Sequence, residues 1–537
     1  MKKMLLLTGI AALAAAQIDT ISGGRIRVDT KFLSSDLLEG RGVGTRGGRL
    51  ATEYLAAQFA LIGAEPAGDN GTYFQKVPLV GLETQPASQL AVAGNGKTVA
   101  LKWLDDFVAA NERQRTEETI DAEAVFVGHG ITAPEFGWDD FKGVDVRGKI
   151  LVLFTNEPES TEPKFFGGRA LTYYGRWTYK FEEALRRGAL GAIIIHTTPT
   201  AGYGWEVVRN SWGREEAYVR VEPGAPALAL AGWVTSEAGN RILALAGRTV
   251  DELLKASNSR DFRPIPLGIR FRGKLVSKIR ELETHNVVAR IPGSDPEKKS
   301  EAVVFSAHWD HLGIGTPVNG DAIYNGAVDN ATGCAILLEI ARAWAGLEQK
   351  PRRSAIFVAV TAEEAGLRGS DYYARHPVVP ADKTAVALNF DGFYPLGRTR
   401  DVVVTGAERT TLWPVVQEAA RRYGFEIKPE AHPEQGLFYR SDHFSFARAG
   451  IPSFSIEMGS EFSGKPADFG NKLFDEFNKK HYHQPSDEFR EDWDFSGLEL
   501  IGRFGALIGL NAANADTLPA WKAGDEFSKL RGARNHQ

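Results

Sequence analysis

The sequence predicts an α/β protein with a mainly parallel central sheet flanked by helices, interrupted by a smaller inserted β/α domain. Three observations predict it. From about residue 285, apolar strand runs alternate with amphipathic helices, the pattern of parallel crossover units. Residues 123–265 form a separate run of short apolar strands around one marked helix face. The chain has 537 residues, 43% hydrophobic and 10% aromatic, enough for more than one core.

Taken in order, Lys2 and Lys3 precede an apolar run, Met4 to Ala16, ending in Ala14-Ala15-Ala16. A basic start, a short apolar stretch and small residues predict a signal peptide over 1–16, with a mature start near Gln17 and export to a periplasmic or extracellular location. The run is too short for a permanent membrane span, so no stable membrane insertion is expected after cleavage, and no Cys follows to carry a lipid. Leu38–Gly47 is too rich in glycine for helix or strand and reads as a shaped loop, either a plain entry loop or support for a site rim. Leu50, Tyr54, Leu55, Phe59 and Ile62 mark a helix over 46–63, ended by Gly63.

The boundaries this suggests are 17–115 for the first part of the main domain, 116–270 for the insert and 271–537 for the rest. Within the insert, Ala124–Gly128, Gly148–Phe154, Gly191–His196 and Ala227–Ala231 are strand-like, and Tyr174–Leu185 is helical. The later segment reads as strand 302–307, helix 332–344, strand 355–360, helix 370–375, strands 384–390 and 401–405, helix 411–423, strand 452–456 and helix 495–513. Net charge is −5, which gives no electrostatic case for nucleic acid. A single Cys excludes an internal disulfide and a multi-cysteine zinc site.

Parallel sheets bind ligands beyond the carboxyl ends of their strands, and there the polar residues collect. The strand before 308 ends in His308-Trp-Asp310-His311, the strand before 361 in Thr-Ala-Glu363-Glu364, and the strand before 391 in Asp391-Gly. Asp329 opens a helix, and His481-Tyr-His483-Gln-Pro-Ser-Asp487 lies downstream. Singly, each has an ordinary structural role: a hydrogen-bonded His, a solvated turn, an N-cap. Together, two imidazoles and three carboxylates suit two zinc ions with one Asp shared between them.

In that order the residues resemble the M28 family of zinc metallopeptidases. The resemblance rests on His308-x-Asp310, Val-Asp329-Asn-Ala-Thr-Gly, Glu363-Glu364, Asn389-Phe-Asp391, Ser441-Asp442-His443 followed by Gly450-Ile-Pro452, and Tyr482-His483-Gln-Pro-Ser-Asp, over about 285–515. The insert, with Gly-Val-Asp-Val-Arg-Gly-Lys-Ile-Leu-Val at 143–152, looks like the protease-associated (PA) domain of some members. The resemblance implies two Zn2+ ions, with Asp329 bridging them, Glu364 and His483 completing one site and His308 and Asp391 the other. It implies Glu363 as general base and acid toward a metal-bridging water, and Asp310 as the residue that holds the His308 imidazole. His483 is preferred to His481 because Gln-Pro-Ser-Asp follows it. Tyr439 is a candidate for oxyanion assistance, with simple packing as the other reading. Asp442 and His443 are read as structural, His311 as a loop residue and Cys334 as a small buried residue. The insert's aromatics, Phe166, Tyr173, Tyr174, Trp177, Tyr203 and Trp205, are read as packing residues before substrate contacts. Glu457 is placed either near a substrate ammonium or as a structural partner.

The activity implied is that of an exported aminopeptidase acting on peptide substrates; the sequence does not define an oligomeric state. Two other readings compete: a glutaminyl-cyclase-like member with one zinc, and a catalytically silent receptor-like member. Zinc content separates them.

Overall fold

The protein is described here by a computed structural model covering residues 17–531 except 163, 169 and 202. The leader expected at 1–16 lies outside the described residues. The chain divides into two compact units, one built from residues up to Pro78, Glu283–Ala431 and the segment from Arg440, the other from Leu79–Leu282 with His432–Tyr439. The sequence placed these divisions near 115/116 and 270/271. They fall at 78/79 and 282/283 because Gln89–Gly94 pairs with Ile265–Ile291 (Leu90 opposite Gly273) and Phe107–Ala110 pairs with Leu230–Val234. The early strands therefore belong to the second unit's sheet.

In the first unit, β1 (Ala302–His308) lies between β2 (Ser354–Val360) and β3 (Thr384–Phe390), parallel to both, and β4 (Ser453–Met458) lies parallel to β3. Every residue of β1, β2 and β3 is buried, as continuous apolar runs in a covered parallel sheet require. Antiparallel neighbours close the margins: 287–291 against β2, and Asp401–Val403 against β4. Helices α1 (Gly23–Leu33), α2 (Arg46–Ile62), α3 (Thr332–Ala345) and α4 (Ser496–Asn514) pack one face, sharing a core that includes Ile26, Phe59, Phe305, Ile336, Phe357 and Phe504. A smaller core with Val304, Ile356, Tyr373 and Phe446 covers the other face. Helix α2 starts where the sequence reading put it: the Thr45 hydroxyl accepts from Gly48 N at 3.2 Å, and Gly63 ends it at φ 82°. Among the described residues no helix is long and apolar enough to cross a membrane.

The second unit has its own sheet. Glu117–Phe126, Ile150–Phe154, Gly191–Ile195 and Leu230–Val234 run parallel in that order. Its helix Trp177–Arg186 carries Lys180, which is fully buried. Lys180 Nζ donates to the carbonyls of Asn156 (2.8 Å) and Tyr174 (2.7 Å). The insert's aromatics pack internally: Phe166 lies 4.6 Å from Phe136 by ring centroids, and Trp205 donates to Leu104 O at 3.0 Å. Two stretches gave no clear sequence signal, the 27-residue strand Ile265–Ile291 and the helix Phe469–Lys480.

Candidate metal centre

The sheet of the first unit delivers its polar groups at the carboxyl ends of its strands. β1 ends in His308. After β2, Ala362 adopts φ 53° and turns the chain so that Glu363 and Glu364 leave the sheet. β3 is followed by Asp391. Asp329 precedes α3 on a loop that only glycine at 326 permits: Gly326 has φ 58°, and a Cβ there would meet Asp329 O at 2.2 Å. His483 follows the helix Phe469–Lys480 at φ 57°, a left-handed residue of the kind that collects at functional sites.

These residues converge. His308 Nε2 lies 3.2 Å from Asp329 Oδ1 and 3.1 Å from Asp391 Oδ1. His483 Nε2 lies 3.5 Å from Asp329 Oδ2 and 3.0 Å from Glu364 Oε2. Asp329 thus faces one imidazole with each carboxylate oxygen. Glu363 joins the cluster: His308, Glu363 and Glu364 each present a donor atom within 4.8 Å of the others, as do His308, Asp329 and Asp391. His481 instead turns to Ser486 Oγ at 2.9 Å.

Supporting groups fix these side chains, and some do so differently from the sequence reading. Asp310 was expected to hold the His308 ring through its carboxylate. It is the Asp310 backbone carbonyl that lies 3.1 Å from His308 Nδ1, while the carboxylate, 3.9 Å away, accepts from Glu363 N–H at 3.2 Å. A backbone carbonyl two residues on reaches the ring with less chain ordering than a side chain would. Asp487 was taken to orient His483; its carboxylate accepts from the N–H groups of Val328 (2.9 Å) and Asp329 (3.1 Å) and so shapes the Asp329 loop. Asp391 accepts from Ser441 Oγ at 2.6 Å, Ser441 in turn accepts from Asn389 Nδ2, and Asn389 Oδ1 accepts from Ser306 Oγ, each at 2.8 Å. Cys334 is buried and donates to His308 O at 3.1 Å.

Two functional residues escaped the sequence reading. His311 is buried, with Nδ1 2.6 Å from Glu364 Oε1. Arg41, in the glycine-rich loop, is also buried, and its guanidinium donates to the carbonyls of Leu33 (2.6 Å), Trp309 (2.7 Å), Asn325 (2.6 Å) and Gly326 (2.9 Å). It ties the segment after His308 to the loop before Asp329, so the loop at 38–47 does support the site. Tyr439 falls in the second unit, with its ring 6.0 Å from that of Tyr173.

The electrostatics describe a site built for cations. Burial alone would push His308 down, but the carboxylates of Asp391 and Asp329 overcome it and hold it well above its ordinary value. His483 is raised to about 10 against its burial by Glu364 and Asp329. Burial disfavours the Glu364 anion, yet His483 and His311 hold it below the usual carboxylate range. For Glu363, burial, with Glu364 and Asp391 nearby, outweighs the favourable charge of His308 and raises it well above that range. Among the described residues, the ion pairs of Asp329, Glu364 and Asp391 are all with histidine. The imidazoles thus carry the positive charge the carboxylates need. His483 Nε2 is buried without a hydrogen-bond partner although the carboxylates of Asp329 and Glu364 face it; a bound metal would take the place of the proton on this imidazole. The donor set of two imidazole nitrogens and three carboxylates fits zinc.

This geometry defines a candidate metal centre at the strand ends of an α/β sheet. Residues 286–503 match the model of peptidase family M28. Among curated relatives, leupeptin-inactivating enzyme 1 of Streptomyces exfoliatus is 28% identical over 187 residues, 33% of this chain and 37% of that protein. Leucine aminopeptidase 1 of Trichophyton equinum is 35% identical over 198 residues, 35% of this chain and 51% of that protein. The chain therefore spans about half or less of the length of these relatives. The aminopeptidase of Aneurinibacillus sp. strain AM-1 superposes with a TM-score of 0.52 at 19% identity, covering 95% of this chain and 98% of the other, a likeness of fold.

Proposed function

We propose that this chain is an exported zinc aminopeptidase that binds two ions and removes N-terminal residues from peptides. The observation that carries the reading is the placing of Asp329 between His308 and His483, at 3.2 and 3.5 Å, with Asp391 beside the first and Glu364 beside the second. One carboxylate shared by two His–carboxylate pairs is the arrangement for two ions. His308 and Asp391 would hold one, His483 and Glu364 the other, and Asp329 both. When bound, the ions would supply Lewis acidity toward the scissile carbonyl and lower the pKa of a shared water.

The chain's own residues do the rest. Glu363 is next in sequence to Glu364, and its backbone N–H donates to the Asp310 carboxylate; its own carboxylate would accept the water's proton and return it to the leaving amine. The Ser306–Asn389–Ser441 chain orients Asp391, and Arg41 holds two ligand-bearing segments in one frame.

Elemental analysis with a peptide assay tests this. Two zinc per chain and cleavage of a short peptide but not its N-acetylated form are expected. One zinc would point to the cyclase-like reading, and no hydrolysis at full zinc to the silent one. Equal cleavage of both peptides would sink the aminopeptidase assignment.

A further inference from the structure

Glu457 ends β4 and takes no part in the donor set, yet the sheet places it beside that set. β3 and β4 are parallel, with Asn389 opposite Ser455 and Phe390 opposite Ile456. Side chains alternate along a strand. Phe390 and Ile456 point to α4, where a Cβ on Gly505 would meet Phe390 Cζ at 2.6 Å and Ile456 Cδ1 at 3.1 Å. Asn389 points the other way and bonds Ser441. One step further along the same register, Glu457 stands next to Asp391 on the catalytic face.

The carboxylate of Glu457 is short of positive charge. Its hydrogen-bond donor among the described residues is Thr405 Oγ1, at 3.1 Å from Oε1. Its charged neighbours, Glu430 and Asp391, are both acidic, and burial pushes its carboxyl up to about 7. The residue is only partly covered, so a ligand can reach it. Such a group is completed by a cation that arrives with the substrate.

We propose that Glu457 receives the α-ammonium group of the substrate's first residue, and so sets the requirement for a free N-terminus. The inference rests on the aminopeptidase reading. In an aminopeptidase substrate the amine is two bonds from the scissile carbonyl carbon. Its anchor must therefore lie one strand from a metal ligand, and adjacent strands are about 4.8 Å apart. Of the neighbouring carboxylates, Asp329, Glu364 and Asp391 are placed as ligands and Glu363 with the proton, and Asp442 is fully buried, out of reach of a ligand.

The test compares an aminoacyl anilide with its desamino analogue in the zinc-loaded wild type and in Glu457→Gln. With zinc content kept, the variant should lose about 10–100-fold in kcat/KM on the aminoacyl substrate, the range of a hydrogen bond to a charged group. The loss should fall mainly on KM, with the desamino rate changed less than about twofold, and Glu457→Asp should recover part of the amine preference. Equal losses on both substrates, or none on either, would make Glu457 structural and overturn the proposal while leaving the aminopeptidase reading intact. Loss of zinc from Glu457→Gln would overturn it too, by moving the carboxylate into the metal centre. A wild type that ignores the N-terminal amine would instead bring down the reading on which the proposal stands.

Discussion

Each unit buries a cluster of charges, and the two clusters are satisfied in opposite ways. In the second unit Lys180 supplies its own amine: Nζ bonds two carbonyls, and burial pushes it down to about 7 against Asp140, Glu157 and Glu183, which favour its charge. Asp140 accepts from Ile131 N and Trp138 Nε1, and His129 lies between Thr155 O and Asn258 Oδ1. That network is closed. In the first unit the ion pairs of Asp329, Glu364 and Asp391 are with imidazoles among the described residues, and His483 Nε2, His311 Nε2 and Asp310 Oδ2 are buried without hydrogen-bond partners. That network is open, and on the proposed reading bound ions would complete it. Burial of charge alone does not mark a functional site; unpaired donors and acceptors within the cluster do.

The sharpest way to break the contrast is Asp329→Ala. If the open cluster is completed by two shared ions, this variant should lose more zinc than any other single ligand change, with peptide hydrolysis falling below detection; elemental analysis finding both metals retained would remove Asp329 from the shared position. Glu363→Gln should keep both metals and the fold and lose about 10²–10⁴-fold in kcat, and near wild-type turnover of the loaded variant would exclude Glu363 as the base. On the closed side, Lys180→Met should leave zinc content unchanged but cost about 3–5 kcal/mol, because removing one partner strands buried carboxylates. Urea denaturation of the variant with an unchanged midpoint would mean that the second unit's cluster is not held by its lysine. His311→Ala should weaken zinc affinity about 10–100-fold through loss of orientation at Glu364. His311→Asn, whose amide still donates, should recover part of it, and titration showing equal affinity in all three proteins would make His311 a bystander.

Much of this was legible in the sequence because a parallel sheet writes its site at the ends of its strands. The apolar runs before His308, Glu363-Glu364 and Asp391 form the core of the fold, and their ends carry three of the proposed ligands, His308, Glu364 and Asp391. What escaped lies where side-chain and backbone chemistry are interchangeable. Asp310 two residues after His308 is compatible with a carboxylate or a carbonyl on the ring, and only the folded turn chooses the carbonyl. Asp487 after His483 reads as a histidine partner, but its acceptors close on backbone N–H groups more than 150 positions away in sequence. His311 carries no periodicity that distinguishes a buried ring from a loop residue. The boundaries of the second unit moved for a similar reason: strands at 89–110 pair with residues from 230 to 274, and sequence patterning reports the strand but not its partner.

Arg41 has a consequence for how this chain can be taken apart. The guanidinium reaches carbonyls 268, 284 and 285 positions along the chain from it, whereas the segment matched by the family model begins at 286. A fragment cut to 286–503 would contain every proposed ligand and lack the one side chain that cross-braces Trp309 to Gly326, along with α1 and α2, which complete its core. Residues 23–62 thus supply core contacts and bracing that the ligand-bearing segment does not make for itself.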